Sequence, residues 1–549
     1  MKPIYTLLPI FLVFCLGCTP NSAPLNQWEA YDETEELAAN ADHPIARMRY
    51  KRIQSKHSDR NALFLPFKKE LSGFNQEDHD ALKSYILEQD IPSIQKHINA
   101  GHLTYEELTL FYIYRIYRFE LDRTCFLNAL ISLNPNVMEQ ARQHDRDRQE
   151  GMDHPLYGMP ILLKDNIDAT PMATTAGAAA MVNNFPAQDA FIVEKLKAKG
   201  ALILGKVNMS EWAYYFCQEC PVGYSALGGQ TLNPYGRRIF ETGGSSSGSG
   251  VAVAANYTVA ALGSETSGSI LSPSGKNSVV GLKPTIGALS RSGIVPISSS
   301  LDTAGPMTKN VIDNAILMSA LIGKDKRDRY SYQASPIRFD HLDTVSLKGK
   351  RLGLNSKFEK DSLMQRAVTA MKAKGAVVIS FDPPEIQMDQ FRRLLDVDMR
   401  ADLPQYLDAF AHPELGLDSV KDVVAFNLKD TLLHAPYGQG IFMRITKEKS
   451  PQLEFKAQKQ QLMQTAKDYF EQTMDEYDLD AFLSIDNYSA RNAAAAHFPA
   501  LGVPMGYDSM GQPKNLTFIA PSKKEQLLLE LGAAFERLEN VRQLPQLFQ

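Results

Sequence analysis

Near Thr104 the hydrophobic and polar positions of the chain fall into a regular pattern. Leu108, Phe111, Tyr112 and Ile116 recur on one face of a 3.6-residue repeat. Thr104-x-x-Glu107 stands ahead of them as a capping box, so a helix is predicted from Thr104. Asp189 opens a second predicted helix with Ile192, Val193 and Leu196 inward, and Gly200 closes it at the C′ position. Short apolar runs at 201–204, 259–262, 351–354, 377–381 and 481–485 read as buried strands, with helical stretches between several of them. Such alternation predicts an α/β layered fold around a central sheet. Residues 19 to about 75 are polar and mixed without sustained periodicity, and read as a tether plus an accessory N-terminal segment. No internal repeat and no long low-complexity linker interrupts the chain.

The N-terminus follows a different rule. Lys2 supplies a positive start, and Ile4 to Leu16 is an apolar run of thirteen residues broken by Pro9. A helix needs about 20 residues to cross a bilayer, so this run is read as a processing signal rather than a membrane span. It ends in Leu16-Gly17-Cys18 ahead of the polar tract Thr19-Pro20-Asn21-Ser22. That arrangement resembles a bacterial lipoprotein signal. The resemblance implies removal of residues 1–17, lipid on Cys18, and a membrane-tethered protein of the bacterial cell envelope. Cys15 stands where such a signal usually has Leu or Val, and an ordinary secretory signal is the alternative. Of the other cysteines, Cys125 sits among apolar residues and reads as core. Cys217 and Cys220 form a C-x-x-C pair, a local disulfide or redox pair in an oxidising compartment. Without a second such pair or a pair of His, a zinc site is not expected.

Over 549 residues, 44% are apolar and 22% charged, an ordinary globular composition. Lys plus Arg number 58 against 63 Asp plus Glu, a net charge of −5, and no long basic run is present. Nucleic acid is therefore not an expected partner. Nothing in the pattern sets an oligomeric state.

Three segments carry candidate chemistry. In Gly158-Met159-Pro160-Ile161-Leu162-Leu163-Lys164-Asp165-Asn166 a lysine ends an apolar, strand-like run. A free lysine has a pKa of about 10.4 and is a poor base near neutrality, but burial disfavours its ammonium form. A surface lysine paired with Asp165 is the bland reading. Next, Gly243-Gly244-Ser245-Ser246-Ser247-Gly248-Ser249-Gly250 leads into the small apolar run Val251 to Ala255. A P-loop would need a lysine after Gly248, which is missing. Gly244-x-Ser246-x-Gly248 fits a nucleophile elbow, yet Tyr235 to Phe240 is a poor preceding strand. A flexible Gly/Ser linker should not run straight into a core-like helix. The third segment, Gly263-Ser264-Glu265-Thr266-Ser267-Gly268-Ser269-Ile270-Leu271-Ser272-Pro273, follows the strand ending at Leu262. A small-residue turn there can aim successive N–H groups at one point and hold an oxyanion beside Ser269.

These segments, in this order, resemble the amidase signature family, whose hallmarks are G-I/M-P-x-x-x-K-D-N, then G-G-S-S, then D/E-x-x-G-S-I. Ser245 and Ser269 lie 24 positions apart, the family's usual separation. Leu204 to Trp212, Gly281 to Thr285, Asp302 to Met307 and Phe498 to Gly506 also fit, so the resemblance runs from about residue 76 to 545. The tract Gly244 to Asn256 most resembles the bacterial peptide amidase branch. The resemblance implies an amidase signature fold, a central mixed β-sheet covered by helices on both faces. It also implies hydrolysis of a carboxamide C–N bond by a Ser-Ser-Lys triad, with no metal or organic cofactor. In that scheme Ser269 attacks the amide carbonyl. Ser245, held by a cis peptide bond in the family, bridges Ser269 and Lys164, and Lys164 is the neutral base. Backbone N–H groups of Thr266, Ser267, Gly268 and Ser269 form the oxyanion hole, and Ser246 orients Lys164.

Three positions depart from the common family pattern. Leu271 replaces an arginine, Glu265 an aspartate, and Ser267 a glycine or aspartate; all three are expected to touch the pocket floor. The implied partner is a small amide or peptide-amide substrate. One rival is the family's tRNA-linked glutamine amidotransferase subunit, which an export signal disfavours. A penicillin-recognising enzyme is another, since Ser93-Ile94-Gln95-Lys96 reads S-x-x-K, but no K-T-G follows. The third is a binding lipoprotein on an inactive amidase scaffold, which the intact triad disfavours.

Overall fold

The computed structural model describes residues 26–148 and 154–549. The proposed signal and Cys18 lie outside the described residues. Eleven strands form one sheet in the order Leu130–Leu133, Leu202–Val207, Pro160–Lys164, Ala260–Glu265, Thr303–Thr308, Val280–Lys283, Ala500–Tyr507, Pro513–Ile519, Ala481–Ile485, Arg351–Asn355, Val377–Phe381. Pro160–Lys164 runs parallel to both of its neighbours, whereas Ala260–Glu265 pairs antiparallel with Thr303–Thr308, so the sheet is mixed. Every residue of Pro160–Lys164, Leu202–Val207, Ala260–Glu265, Val280–Lys283 and Thr303–Thr308 is buried. Successive strand residues face opposite sides, so both faces of the sheet centre are covered. The fold is α/β, as the sequence pattern predicts.

Local chemistry explains some element boundaries. The Thr104 side chain accepts from Glu107 N, and Glu107 reaches back to Thr104 N, which starts the helix Tyr105–Glu120 with two donors satisfied. The expectation for Asp189 is corrected. The helix Phe191–Ala198 starts after Ala190 with no side-chain cap, and the Asp189 carboxylate accepts from Thr170 N at 2.8 Å instead. Two strands also run further than expected, through Val207 and through Glu265. Their polar ends, Gly205-Lys206 and Gly263-Ser264-Glu265, look like loop in sequence but are fully paired in the ladder.

A second apolar cluster lies beside the sheet. It joins the helices Phe391–Ala409, Gly440–Ile445 and Gln452–Tyr477 to Trp212, Phe216 and Leu271. The described part of the N-terminal segment is packed on the body. Ile53 and Phe67 are buried in the main core, and Lys51 N donates to Tyr437 Oη at 2.8 Å. Cys217 and Cys220 are disulfide-bonded, and Cys125 is a buried free thiol. Among the described residues, no helix is long and apolar enough to cross a membrane.

Candidate active site

Lys164 is the last residue of the central strand Pro160–Lys164 and is fully buried. Its Nζ lies 2.8 Å from Ser245 Oγ, 3.0 Å from Ser264 O and 2.9 Å from Ser264 Oγ. Burial pulls the Lys164 pKa down to about 7, against the opposing charges of Asp302 and Glu265. The hydrogen bonds fit that neutral form. A neutral amine donates twice, which Ser264 O and Ser264 Oγ can accept, and its lone pair is left for the Ser245 hydroxyl. After proton uptake the ammonium has three donors for the same three oxygens. No contact has to be broken as the charge appears.

Ser245 enters from the Gly-rich turn before the helix Ser247–Ala254, and the Gly244–Ser245 peptide bond is cis. Its carbonyl accepts from Ser210 N at 3.1 Å. Ser246 N donates to Ser269 O at 3.1 Å, which brings the two serine-bearing turns together. Ser246 makes no direct contact with Lys164 among the described residues. It reaches Lys164 through Ser264, donating to Ser264 O at 3.1 Å and accepting from Ser264 N at 3.2 Å.

Ser269 lies on the turn between the strand Ala260–Glu265 and the helix Leu271–Lys276 and is buried but for 8% exposure. Its hydroxyl has no hydrogen-bond partner among the described residues, so the Ser269–Ser245 link is not formed in this state. Catalytic hydrogen bonds are often long before substrate arrives. Gly268, at φ +88°, occupies a conformation that a side chain would strain, and a Cβ there would stand 2.9 Å from Asn487 Nδ2.

The turn is held from within by the buried Glu265. Its carboxylate accepts from Gly268 N at 2.6 Å, Ile270 N at 2.7 Å and Leu271 N at 3.0 Å. The expected oxyanion hole is corrected accordingly. The Gly268 N–H is committed to Glu265, whereas those of Thr266, Ser267 and Ser269 have no acceptor among the described residues. Thr266 is fixed in turn by its hydroxyl, which donates to Asp302 Oδ1 at 2.6 Å. The half-buried Asp302 has its pKa raised to about 6 by desolvation, offset by Thr266 and by the N–H groups of Ser298 and Ile297.

Several of these residues stand inside the sequence motifs, yet the sequence alone does not assign their part. Ser264 holds Lys164, Asn166 Nδ2 donates to Ser264 Oγ at 2.9 Å, and Asp302 anchors Thr266. Their place within those motifs is the signal that could have found them. Glu265 cradles the turn instead of lining a pocket floor, while Leu271 is buried in the second apolar cluster. Ser93 and Lys96 lie on the helix Ile91–Asn99, away from this constellation.

The amidase family model matches residues 107–484. The chain belongs to the amidase signature family. Over 478 residues it is 34% identical to a probable amidase of Arabidopsis thaliana, covering 84% of this chain and 92% of that protein. A glutamyl-tRNA(Gln) amidotransferase subunit of Deinococcus radiodurans is 32% identical over 458 residues, covering 76% of this chain and 92% of that one. Among solved structures, the peptide amidase of Stenotrophomonas maltophilia superposes with a TM-score of 0.79 at 35% identity, over 84% of this chain and 99% of that one. This amidase is an amide-hydrolysing enzyme, and the buried lysine, the cis-bonded serine and the Glu265-held turn stand at the centre of its fold.

Proposed function

We propose that this amidase cleaves a carboxamide C–N bond through an acyl-enzyme on Ser269, with Ser245 and Lys164 as the proton relay. The observation that carries the reading is the contact between the buried Lys164 amine and Ser245 Oγ at 2.8 Å. A neutral Lys164 takes the Ser245 proton as Ser245 takes that of Ser269, and Ser269 Oγ bonds to the amide carbon. The N–H groups of Thr266, Ser267 and Ser269 receive the carbonyl oxygen as it becomes anionic; one such donor is worth roughly 10²–10³ in rate. The relay then runs backwards. Lys164 returns its proton through Ser245 to the departing nitrogen, the C–N bond breaks, and ammonia or an amine leaves. Water, activated by the same relay, hydrolyses the ester and restores Ser269. The likeness to a peptide amidase supports small amides and peptide amides as the substrate class.

The tether belongs to the same proposal. Leu16-Gly17-Cys18 after an apolar run supports export and lipid attachment at Cys18. Replacing Cys18 with Ala should then release the enzyme from the membrane fraction. For the chemistry, ammonia release from a panel of amides is compared between wild type, Ser269→Ala and Lys164→Ala. Both variants should stay folded and lose nearly all turnover. Turnover that survives in Ser269→Ala removes the proposed nucleophile.

A further inference from the structure

A cavity of about 940 Å³ opens between the segment 214–218 and the helices Phe391–Ala409 and Gly440–Ile445. Two of the segments that line it adjoin residues in contact with the serine-bearing turns. Tyr214 and Tyr215 follow Ser210, whose N–H donates to Ser245 O at 3.1 Å. On the other side Arg491 follows Ala490, and a Cβ on Gly268, the neighbour of Ser269, would lie 3.5 Å from Ala490 Cβ. Leu271 shares one apolar cluster with Tyr215, Phe391 and Ala490. The cavity wall and the Ser269 turn thus pack against the same apolar cluster.

Its wall has an unbalanced charge. Arg392, Arg444 and Arg491 line it, against a single acid, Asp389. Arg444 is already matched, since its guanidinium donates to both Asp396 oxygens at 2.8 and 2.9 Å. The guanidinium groups of Arg392 and Arg491 have neither a carboxylate nor a hydrogen-bond acceptor among the described residues. Arg491 is set over the Phe391 ring at 5.6 Å, a contact that orients a planar cation and leaves its N–H edge free. Two unmatched arginines on this largely polar wall are suited to a substrate that presents an anion.

We propose that Arg392 and Arg491 form a specificity subsite for a carboxylate carried by the substrate away from its scissile amide. The preferred substrates are amides of acidic acyl or peptidyl groups. This inference rests on the reading of Ser269 as nucleophile. Both side chains stay in contact with solvent, so the preference is moderate and falls with salt.

The test uses paired amidated peptides that differ only in glutamate against glutamine, with that position moved stepwise away from the amide. For the best position, wild-type kcat/KM should favour glutamate by roughly fivefold at low ionic strength, and by much less in about 0.5 M salt. The double variant Arg392→Gln/Arg491→Gln should lose the preference and keep its rate on the glutamine peptide. No glutamate preference at any position in wild type overturns the subsite, as does a preference unchanged in the double variant. Equilibrium binding of the same pair to Ser269→Ala reads the subsite without turnover. Arginine-dependent selectivity there, with no ammonia release by wild type, would retain the subsite and discard the hydrolytic mechanism.

Discussion

Replacing Glu265 with Gln separates the cradle under the Ser269 turn from the proposed relay. The carboxylate is 1% exposed and accepts N–H groups from Gly268, Ile270 and Leu271 at 2.6, 2.7 and 3.0 Å. Glutamine keeps the shape but offers one oxygen, and its other terminal atom only donates. Whichever way the amide turns, a backbone N–H meets an NH₂ group. Loss of a hydrogen bond to a charged group costs about 1.5–3 kcal/mol, and a buried donor without an acceptor costs a further ~1–3 kcal/mol. The turn relieves part of this by shifting, and the shift displaces Ser269 and the free N–H groups of Thr266 and Ser267. At about 1.4 kcal/mol per factor of ten, kcat should fall roughly 10- to 100-fold. The variant carries an independent electrostatic signature. Burial depresses the Lys164 pKa to about 7, and the Glu265 charge opposes that depression. Removing the charge removes the opposition, so Lys164 should lose its proton at still lower pH. The assay is kcat/KM for ammonia release against pH in wild type and Glu265→Gln, with circular dichroism to check folding. The expected result is a lower plateau whose rising limb lies below the wild-type midpoint near pH 7. A midpoint that stays in place or moves upward, or an undiminished kcat, would refute the reasoning.

Two further outcomes follow from neighbouring contacts. Ser264→Ala removes the hydroxyl that meets Lys164 Nζ at 2.9 Å and Asn166 Nδ2 at 2.9 Å but leaves the Ser264 carbonyl in place. It should lower kcat by roughly tenfold with KM little changed, as steady-state kinetics can show. Lys206→Met strips the ion-pair partner, 3.4 Å away, from the fully buried Asp165. Stability should drop by about 3–5 kcal/mol in urea unfolding, and adding Asp165→Asn should recover most of it.

Much of this architecture was legible because apolar period and capping chemistry act locally. The capping box at Thr104 and the strands at Arg351–Asn355, Val377–Phe381 and Ala481–Ile485 follow from neighbouring residues alone, although Val377–Phe381 lies at the sheet edge with only Phe381 buried, not as the buried strand expected. The misread boundaries have separate causes. Ser264 and Glu265 hold Lys164 and the Ser269 turn, so that strand ends in polar residues that apolar patterning does not mark. Asp189 failed as a cap because Thr170, 19 positions earlier, reaches its carboxylate in the folded chain. The site followed the same division. Lys164, Ser245 and Ser269 could be named from spaced motifs, and Lys164 and Ser245 do meet. The commitment of the Gly268 N–H to Glu265, and the action of Ser246 through Ser264, depend on side-chain directions that no spacing encodes. The arginines of the cavity lie about a hundred positions apart and are joined only by folding.

The central claim is that an uncharged Lys164 activates Ser269 by way of Ser245. Its most direct test is the rate at which a fluorophosphonate labels the protein, followed against pH, with the modified residue located by mass spectrometry. The account predicts labelling of Ser269 that rises with a midpoint near pH 7, as the Lys164 amine loses its proton, and that nearly vanishes in folded Lys164→Ala. Labelling at another residue, a midpoint near that of a free lysine, or an unaltered rate in Lys164→Ala would contradict it.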